Sequence, residues 1–471
     1  MEPGFRGRGG KLTALADRDP PDPSPAAVTF PVWNVALARL GRWADELDHV
    51  HNVPVAPVDG RPRPGAPATA WAVAKAAISL AGAPVGISAM AVAARRAQRM
   101  TLTRITQFPD HLHALAEGTR SPLPARRTER LPADRRYLIT SDLHRCIPGR
   151  LDWPARQSTK SVYPRVLAGY ADDGWDLIEN GDVEDYWMVG GSTWGAVYDV
   201  ARLAGGAAGS LGDEPRRELL REHLDRIVDN NAATYRVLRD GFCADGRYHR
   251  TMGNHDDVYV DDGLVEHLAD HLPGTTMADS LLLSRPGATT TDGIAGIDAV
   301  VTHGHLTDAW NGPGFAVLGR AIMWIITSFD DLPRPRDTME GLPDEEATSR
   351  LLGGGARNRL ITLDPRFGGN RRFDSLDEQR LFDALDDARP AGGWPWLVFG
   401  HTHLPMLSPQ GADGRAVRYA NSGCAVLDGA MSALEWVPDD ERPLRLVLWQ
   451  DGAHGPERVE LVPDGPTLAA R

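Results

Sequence analysis

From about residue 137 the chain repeats one pattern: a four- or five-residue apolar run that ends in a polar cluster. YLIT precedes SDLHR, WDLIE precedes NGDVEDYW, YHRTM precedes GNHDD, IDAVV precedes THGH, and WLVF precedes GHTH. Short apolar runs bounded by turn formers predict buried strands. Helix-period segments such as RRELLREHLDRIVDNNAATYRVL lie between some of them, which predicts an α/β layout. The late runs RAVRYANSG, LRLVLWQ and RVELV have no helical segment between them and predict an antiparallel addition to the sheet. In open α/β sheets functional groups collect beyond the carboxyl ends of the strands. All five polar clusters occupy that position.

The first quarter reads differently. Residues 1–27, rich in Pro, Gly and charge, predict a disordered lead-in and lack the apolar core of a secretory signal. Residues 28–118 alternate helical patterns with Gly/Pro breaks, and SPLPARRTERLPADRR, 121–136, has the composition of a linker. The expected division is therefore a helical region with linker over 28–136 and a second domain over 137–471. That domain is expected to carry insertions at about 188–245 and 306–394. Residues 76–94, AAISLAGAPVGISAMAVAA, are uncharged and followed by RRAQR. They approach the length of a bilayer span. Their Ala/Gly content and Pro84 favour a buried helical hairpin, with membrane contact as the alternative and the basic flank as its cytoplasmic anchor.

Composition narrows the function classes. A formal charge of −13 opposes stable binding to nucleic acid, which needs an electropositive surface. Lysine is scarce, at Lys11, Lys75 and Lys160 alone, and the preference for Arg, Ala, Gly and Pro resembles a high-GC bacterial genome. Cys146, Cys243 and Cys424 are odd in number and lack CxxC spacing, which predicts neither a disulfide framework nor a zinc ribbon and fits a cytoplasmic protein.

The clusters contain Asp142, His144, Asp182, Asn254, His255, His303, His305, His401 and His403. Carboxylate, amide and imidazole without thiolate suit Mn²⁺, Fe, Zn²⁺ or Mg²⁺. Such a set over-supplies one ion, and seven ligands drawn from it fit two ions with a bridging carboxylate. The series DLH, GDVED, GNHD, HGH and GHTH, each after an expected strand, resembles the five signature blocks of the calcineurin-like metallophosphoesterases over about residues 137–430. That resemblance implies a four-layer α/β/β/α sandwich with helical insertions and a mainly helical N-terminal extension. It implies two divalent metal ions, Mn²⁺ foremost: Asp142, His144 and His403 on the first, Asn254, His303 and His401 on the second, with Asp182 bridging. A shared hydroxide would attack phosphorus, His255 would donate a proton or stabilise charge, and Asp256 would orient His255. Gly400 would let the backbone approach the centre.

Other positions carry two readings each. His305 stands where many relatives have Asp, and supports a ligand, contacts phosphate or is simply exposed. Arg145 neutralises substrate charge or lies on the surface. Cys146 reads as a packed thiol. Asp185 hydrogen-bonds a ligand or caps a helix. The NGDVEDYW block followed by HGH and GHTHLP resembles the branch containing UDP-2,3-diacylglucosamine pyrophosphatases. The apolar run 314–329 would then cover an acyl substrate, or else form a core helix. The expected activity is hydrolysis of a small-molecule phosphodiester or a lipid-linked pyrophosphate, in the cytoplasm or at the inner face of the membrane. Alternatives are a phosphoprotein or phosphomonoester phosphatase, and a non-catalytic membrane-associated scaffold of the same fold.

Overall fold

The computed structural model describes residues 98–148, 152, 154, 159–187, 213–308, 311–312, 376–403, 405–408, 417–426, 430–438 and 440–461. The lead-in 1–27, the apolar stretch 76–94, the run 314–329, residues 188–212 of the first expected insertion and most of the second lie outside these residues. Among the described residues no helix is long and apolar enough to cross a membrane.

The chain is mixed α/β, with two mixed sheets and helices. The described residues begin with a helix over 98–117 (α1) and continue through β1 (Thr128–Pro132), β2 (Tyr137–Thr140), α2 (Thr159–Asp172) and β3 (Asp176–Asn180). Helices α3 (Asp213–Asn230) and α4 (Ala232–Gly241) lead to β4 (Tyr248–Thr251), α5 (Asp262–His271) and β5 (Thr276–Ala278). Then come β6 (Ser280–Ser284), β7 (Ile297–Thr302), α6 (Leu376–Asp387), β8 (Trp396–Phe399), β9 (Met406–Ser408) and β10 (Tyr419–Asn421). Strands β11 (Ala430–Trp436), β12 (Leu444–Gly452) and β13 (Gly455–Leu461) complete the described chain.

One sheet has the order β1-β6-β7-β8-β10-β9 and the other β13-β12-β11-β2-β3-β4-β5. The neighbours β2, β3, β4 and β5 are parallel, as are β7, β8 and β10. Parallel strands align their carboxyl ends, so the polar clusters after β2, β3 and β4 emerge on one edge, and those after β7 and β8 on one edge of the other sheet. The expected antiparallel addition is found for β12 and β13, joined to β2 through β11, a strand the sequence reading did not single out. The RYAN segment departs from it: β10 is parallel to β8 and antiparallel only to β9.

Strand alternation distributes side chains between cores. Tyr137, Ile139 and Ile178 of the seven-stranded sheet share one apolar cluster with Leu281, Leu283, Val301 and Val398 of the other. The opposite parity, Leu138 and Leu177, packs with Val162, Val166 and Tyr170 of α2 and with residues of α3, α4 and α5. Leu282, Val300 and Leu397 pack instead against Ile105, Phe108, Leu112 and Leu115 of α1 and Leu381, Phe382 and Leu385 of α6. The α1 spacing of three and four residues presents one apolar face.

Residues 121–136, read above as a linker, do not behave as one. β1 pairs in register with β6 from Thr128↔Ser280 to Pro132↔Ser284 and buries Leu131. Polar composition misled here because β1 is an edge strand. Such a strand tolerates Pro and exposes every second side chain. The long helical segment also divides, α3 ending at Asn230 and α4 starting at Ala232.

Beneath the seven-stranded sheet lies a buried ionic network. Glu184 receives Arg250 through both guanidinium nitrogens and also the hydroxyls of Tyr235 and Tyr259. Glu179 receives Arg145, Tyr163 and Tyr248. Glu184 and Arg250 are fully buried, so each charge depends on its partner. Removing one leaves the other uncompensated in a low-dielectric interior, a loss of about 3–5 kcal/mol.

Two outcomes follow from these cores. Glu184→Ala is expected to lower unfolding free energy by about 3–5 kcal/mol in urea titrations; a loss below about 1 kcal/mol would mean that Arg250 is not left uncompensated in the interior. His111, on α1, is held neutral by burial, its pKa pushed down from 6.5 to about 4. The unfolded chain binds that proton first, so stability falls as pH drops from 6.5 towards about 4. His111→Gln is expected to flatten this part of the stability–pH curve, and an unchanged slope would remove His111 as its source.

Candidate metal centre

Strand ends set where the candidate donors begin, and backbone strain sets where they point. Among the described residues five non-glycine positions have positive φ: Asp142 at 52°, His144 at 45°, Asp182 at 51°, His401 at 68° and His403 at 57°. Left-handed backbone at such residues costs about 1–3 kcal/mol each and persists where the surroundings enforce it. The enforcement is visible. The amides of Asp142, Leu143 and His144 donate to the carbonyls of Gly181 and Asp182, at 2.9–3.1 Å. The two loops are further stitched by Arg145 N to Val183 O and Asp185 N to Arg145 O, both 2.8 Å. His401 N donates to Asp142 Oδ2 at 2.9 Å, which ties the β8 loop to the β2 loop.

Close backbone approach completes the convergence. A Cβ on Gly253 would lie 2.1 Å from Asp182 Oδ1, and one on Gly400 would lie 2.6 Å from Ser141 Oγ and 2.8 Å from Asp142 Oδ2. Gly400 therefore serves close packing, as its position in GHTH suggested. Asn421 holds the same turn by donating to Gly400 O at 2.7 Å.

The donors gather into sets able to hold a metal ion: Asp142, His144 and His403; Asp182, His303 and His401; and His144, Asp182 and His255. The hydrogen bonds around them fix which imidazole nitrogens face inward. His303 Nδ1 lies 2.8 Å from the carbonyl of Asn180. A carbonyl only accepts, so Nδ1 carries the proton and Nε2 presents a lone pair in the neutral ring. That Nε2 is buried, forms no hydrogen bond and stands 3.2 Å from Asp182 Oδ2. His144 repeats the logic: Nδ1 faces Asp185 Oδ2 at 2.9 Å, which turns Nε2 towards His403 Nε2 at 3.0 Å. His403 Nε2 is also 3.2 Å from Asp142 Oδ1. Asp142 Oδ1 and Asn254 Oδ1 are buried without a hydrogen bond. Lone pairs crowded in this way are satisfied by protons or by cations, and the same oxygen and nitrogen atoms are the ones a divalent ion would take.

Electrostatics reflect the crowding. Burial by itself raises the Asp142 and Asp182 carboxyls, but neighbouring imidazoles outweigh it and hold both below the usual range. Burial opposes protonation of His303, yet Asp182 and Asp142 bring it up to about 9.

His255 is placed by three contacts. Its amide donates to Asp182 Oδ1 at 2.8 Å, its Nδ1 lies 3.1 Å from Asp185 Oδ1, and its ring stacks on Trp187 at 4.5 Å. Burial lowers its basicity, but Asp185 and Asp182 override this and raise the imidazolium to about 9. The expected partner Asp256 does not orient it. The Asp256 carboxylate instead accepts Gly253 N at 2.5 Å and Val183 N at 2.9 Å. Being next to His255 in sequence, Asp256 projects away from it and braces the loops, its carboxyl raised to about 7 by burial and by Asp182. Asp185 does the orienting, of His144 and His255 together.

Of the residues left with two readings, Arg145 follows neither. It is buried against Glu179, pointing away from the centre. Cys146 is packed in the core. His305 lies 5.5 Å from the ring of His303 and 6.4 Å from that of His401, and burial with those two neighbours lowers it to about 3. It also lines a cavity of about 260 Å³ beside Asn254, together with Arg126, Asp257 and Leu306. Sequence reasoning missed Asp308, whose Oδ2 is 2.8 Å from His401 Nε2. Five residues past His303, Asp308 belongs to no periodic pattern and resembles any loop acid.

Gly253→Ala is expected to displace the Asp182 carboxylate and weaken metal retention by about 10–100-fold, read by elemental analysis after dialysis with the circular dichroism spectrum unchanged. Equal retention would disconnect this contact from the centre. No protein-family model and no curated protein matches this chain.

Proposed function

We propose that this chain is a dinuclear-metal-dependent phosphoesterase of the calcineurin-like kind, acting on phosphodiester or pyrophosphate bonds of small molecules or lipid-linked substrates. The observation that carries the reading is the gathering of Asp142, His144, Asp182, His303, His401 and His403 into neighbouring donor sets, with Nε2 of His303 and Oδ1 of Asp142 and Asn254 buried and free of hydrogen bonds. The division of strand side chains among three cores supports a four-layer α/β/β/α sandwich.

Asp142, His144 and His403 would hold one ion, Asn254, His303 and His401 the other, and Asp182 both. When bound, such a pair supplies an acidified water and neutralises phosphoryl charge. Mn²⁺ is the first choice for this thiolate-free set, with Fe, Zn²⁺ and Mg²⁺ as alternatives. The protein's part is orientation and proton supply. Asp185 keeps His144 and His255 in fixed tautomers and rotamers, and Trp187 limits ring rotation of His255. His255 holds a proton for the departing oxygen. Bound cations would oppose its raised basicity and bring it closer to neutral pH.

A scaffold role is disfavoured because every donor position is filled and the strained loops aim them at common points. A phosphomonoester or phosphoprotein substrate uses the same centre. Comparing Mn²⁺-loaded protein on bis-p-nitrophenyl phosphate and on phosphopeptide separates these classes. Asp182→Asn is expected to abolish turnover and to lower metal content, and retained activity would reject the assignment. His255→Ala should lower kcat by about 10²–10⁴ with the metals kept; loss of the metals would make it a ligand.

A further inference from the structure

We propose that Asp225, His267 and His271 form a second, independent site for a divalent transition-metal ion such as Zn²⁺, clamping α3 to α5. It shares no residue with the centre described above and does not depend on its chemistry.

His267 and His271 are four residues apart on α5, one helical turn, so both imidazoles leave the same face. Asp225 projects from α3 to meet them. Its Oδ1 is 2.9 Å from His267 Nε2 and 2.8 Å from His271 Nε2, and the rings lie 5.4 Å apart. All three donor atoms fall within 4.8 Å of one another. In a tetrahedral zinc site with bonds near 2.0–2.1 Å the donors stand about 3.3–3.4 Å apart. An ion therefore fits after the groups part by about half an ångström.

The alternative occupant is a pair of protons, both imidazoles donating to one oxygen. The surroundings favour a cation. His267 Nδ1 lies 3.6 Å from Asp270 Oδ2, within ion-pair reach. A carboxylate there stabilises the proton on Nδ1 and turns the Nε2 lone pair towards Asp225, the outer-sphere pattern of metal-bound histidine. Two nitrogens and one carboxylate oxygen suit a borderline ion, and partial exposure leaves the fourth position to water. The side chains of His267, His271 and Asp225 are 21%, 26% and 50% exposed.

The clamp would have a mechanical consequence. Arg217, early on α3, already pairs with Asp261, the N-cap of α5, at 3.0 Å. A metal at Asp225 would fasten the same two helices a second time, eight residues further along α3. α5 follows closely on the loop that carries Asn254 and His255, so the bound ion would stiffen one wall of the centre.

The test uses the full chain, stripped with chelator, incubated with Zn²⁺ and passed over a desalting column before elemental analysis. The His267→Gln/His271→Gln double variant is expected to retain about one zinc fewer per chain than wild type. Asp182→Asn is expected to keep this zinc. Glutamine preserves donors for Asp225, so a role confined to hydrogen bonding predicts unchanged zinc, which would overturn the proposal. Should the double variant lose its circular dichroism signal, the wild-type chain decides. Zn²⁺ should protect His267 and His271 from diethyl pyrocarbonate, mapped by peptide mass spectrometry, and equal modification with and without Zn²⁺ would reject the site.

Discussion

Asp182 and His303 bring the two sheets to one point. The carboxylate follows β3 in the seven-stranded sheet, the imidazole follows β7 in the six-stranded one, and their donor atoms lie 3.2 Å apart in a buried interior. Each would be costly to bury alone. Their juxtaposition depends on the apolar layer between the sheets, since Ile178 before one loop and Val301 before the other belong to the same cluster. Core packing and site geometry are thus one constraint: a shift of either sheet would separate the donors.

The backbone bears the cost of this arrangement. Five donor residues occupy left-handed conformations, and the hydrogen bonds that hold them run between donor loops more than to the rest of the protein. Such mutual bracing makes the centre cooperative, because loosening one loop releases its neighbours. Asp185 concentrates the effect, since one buried carboxylate fixes two imidazoles on different loops.

Below the loops, the Glu179–Arg145 and Glu184–Arg250 pairs fill the outer side of the seven-stranded sheet with charge where hydrocarbon would be simpler. Arg145 and Glu184 also form an isolated parallel bridge beyond β2 and β3. Ion pairs of this kind contribute little net stability. Their directional bonds instead hold the two strand extensions at the height where Asp142 and Asp182 must emerge, a task that non-directional apolar packing performs less well.

The chain by itself determined the five strands that carry the donors and the loops that follow them, because short apolar runs closed by Asp, His, Asn and Gly record both burial and the turn in local order. It also determined the types of donor gathered, since those are side-chain identities. The tertiary structure decided which neighbour each donor meets. Asp256 is beside His255 in sequence yet faces Gly253 and Val183, whereas Asp185, seventy residues away, orients it. Arg145 turned inward, β1 joined a sheet despite its linker-like composition, and Asp308 reached His401 from an unpatterned loop. Periodicity reports which face of an element is buried, whereas partners across loops depend on rotamers and backbone strain fixed only when both sheets have packed.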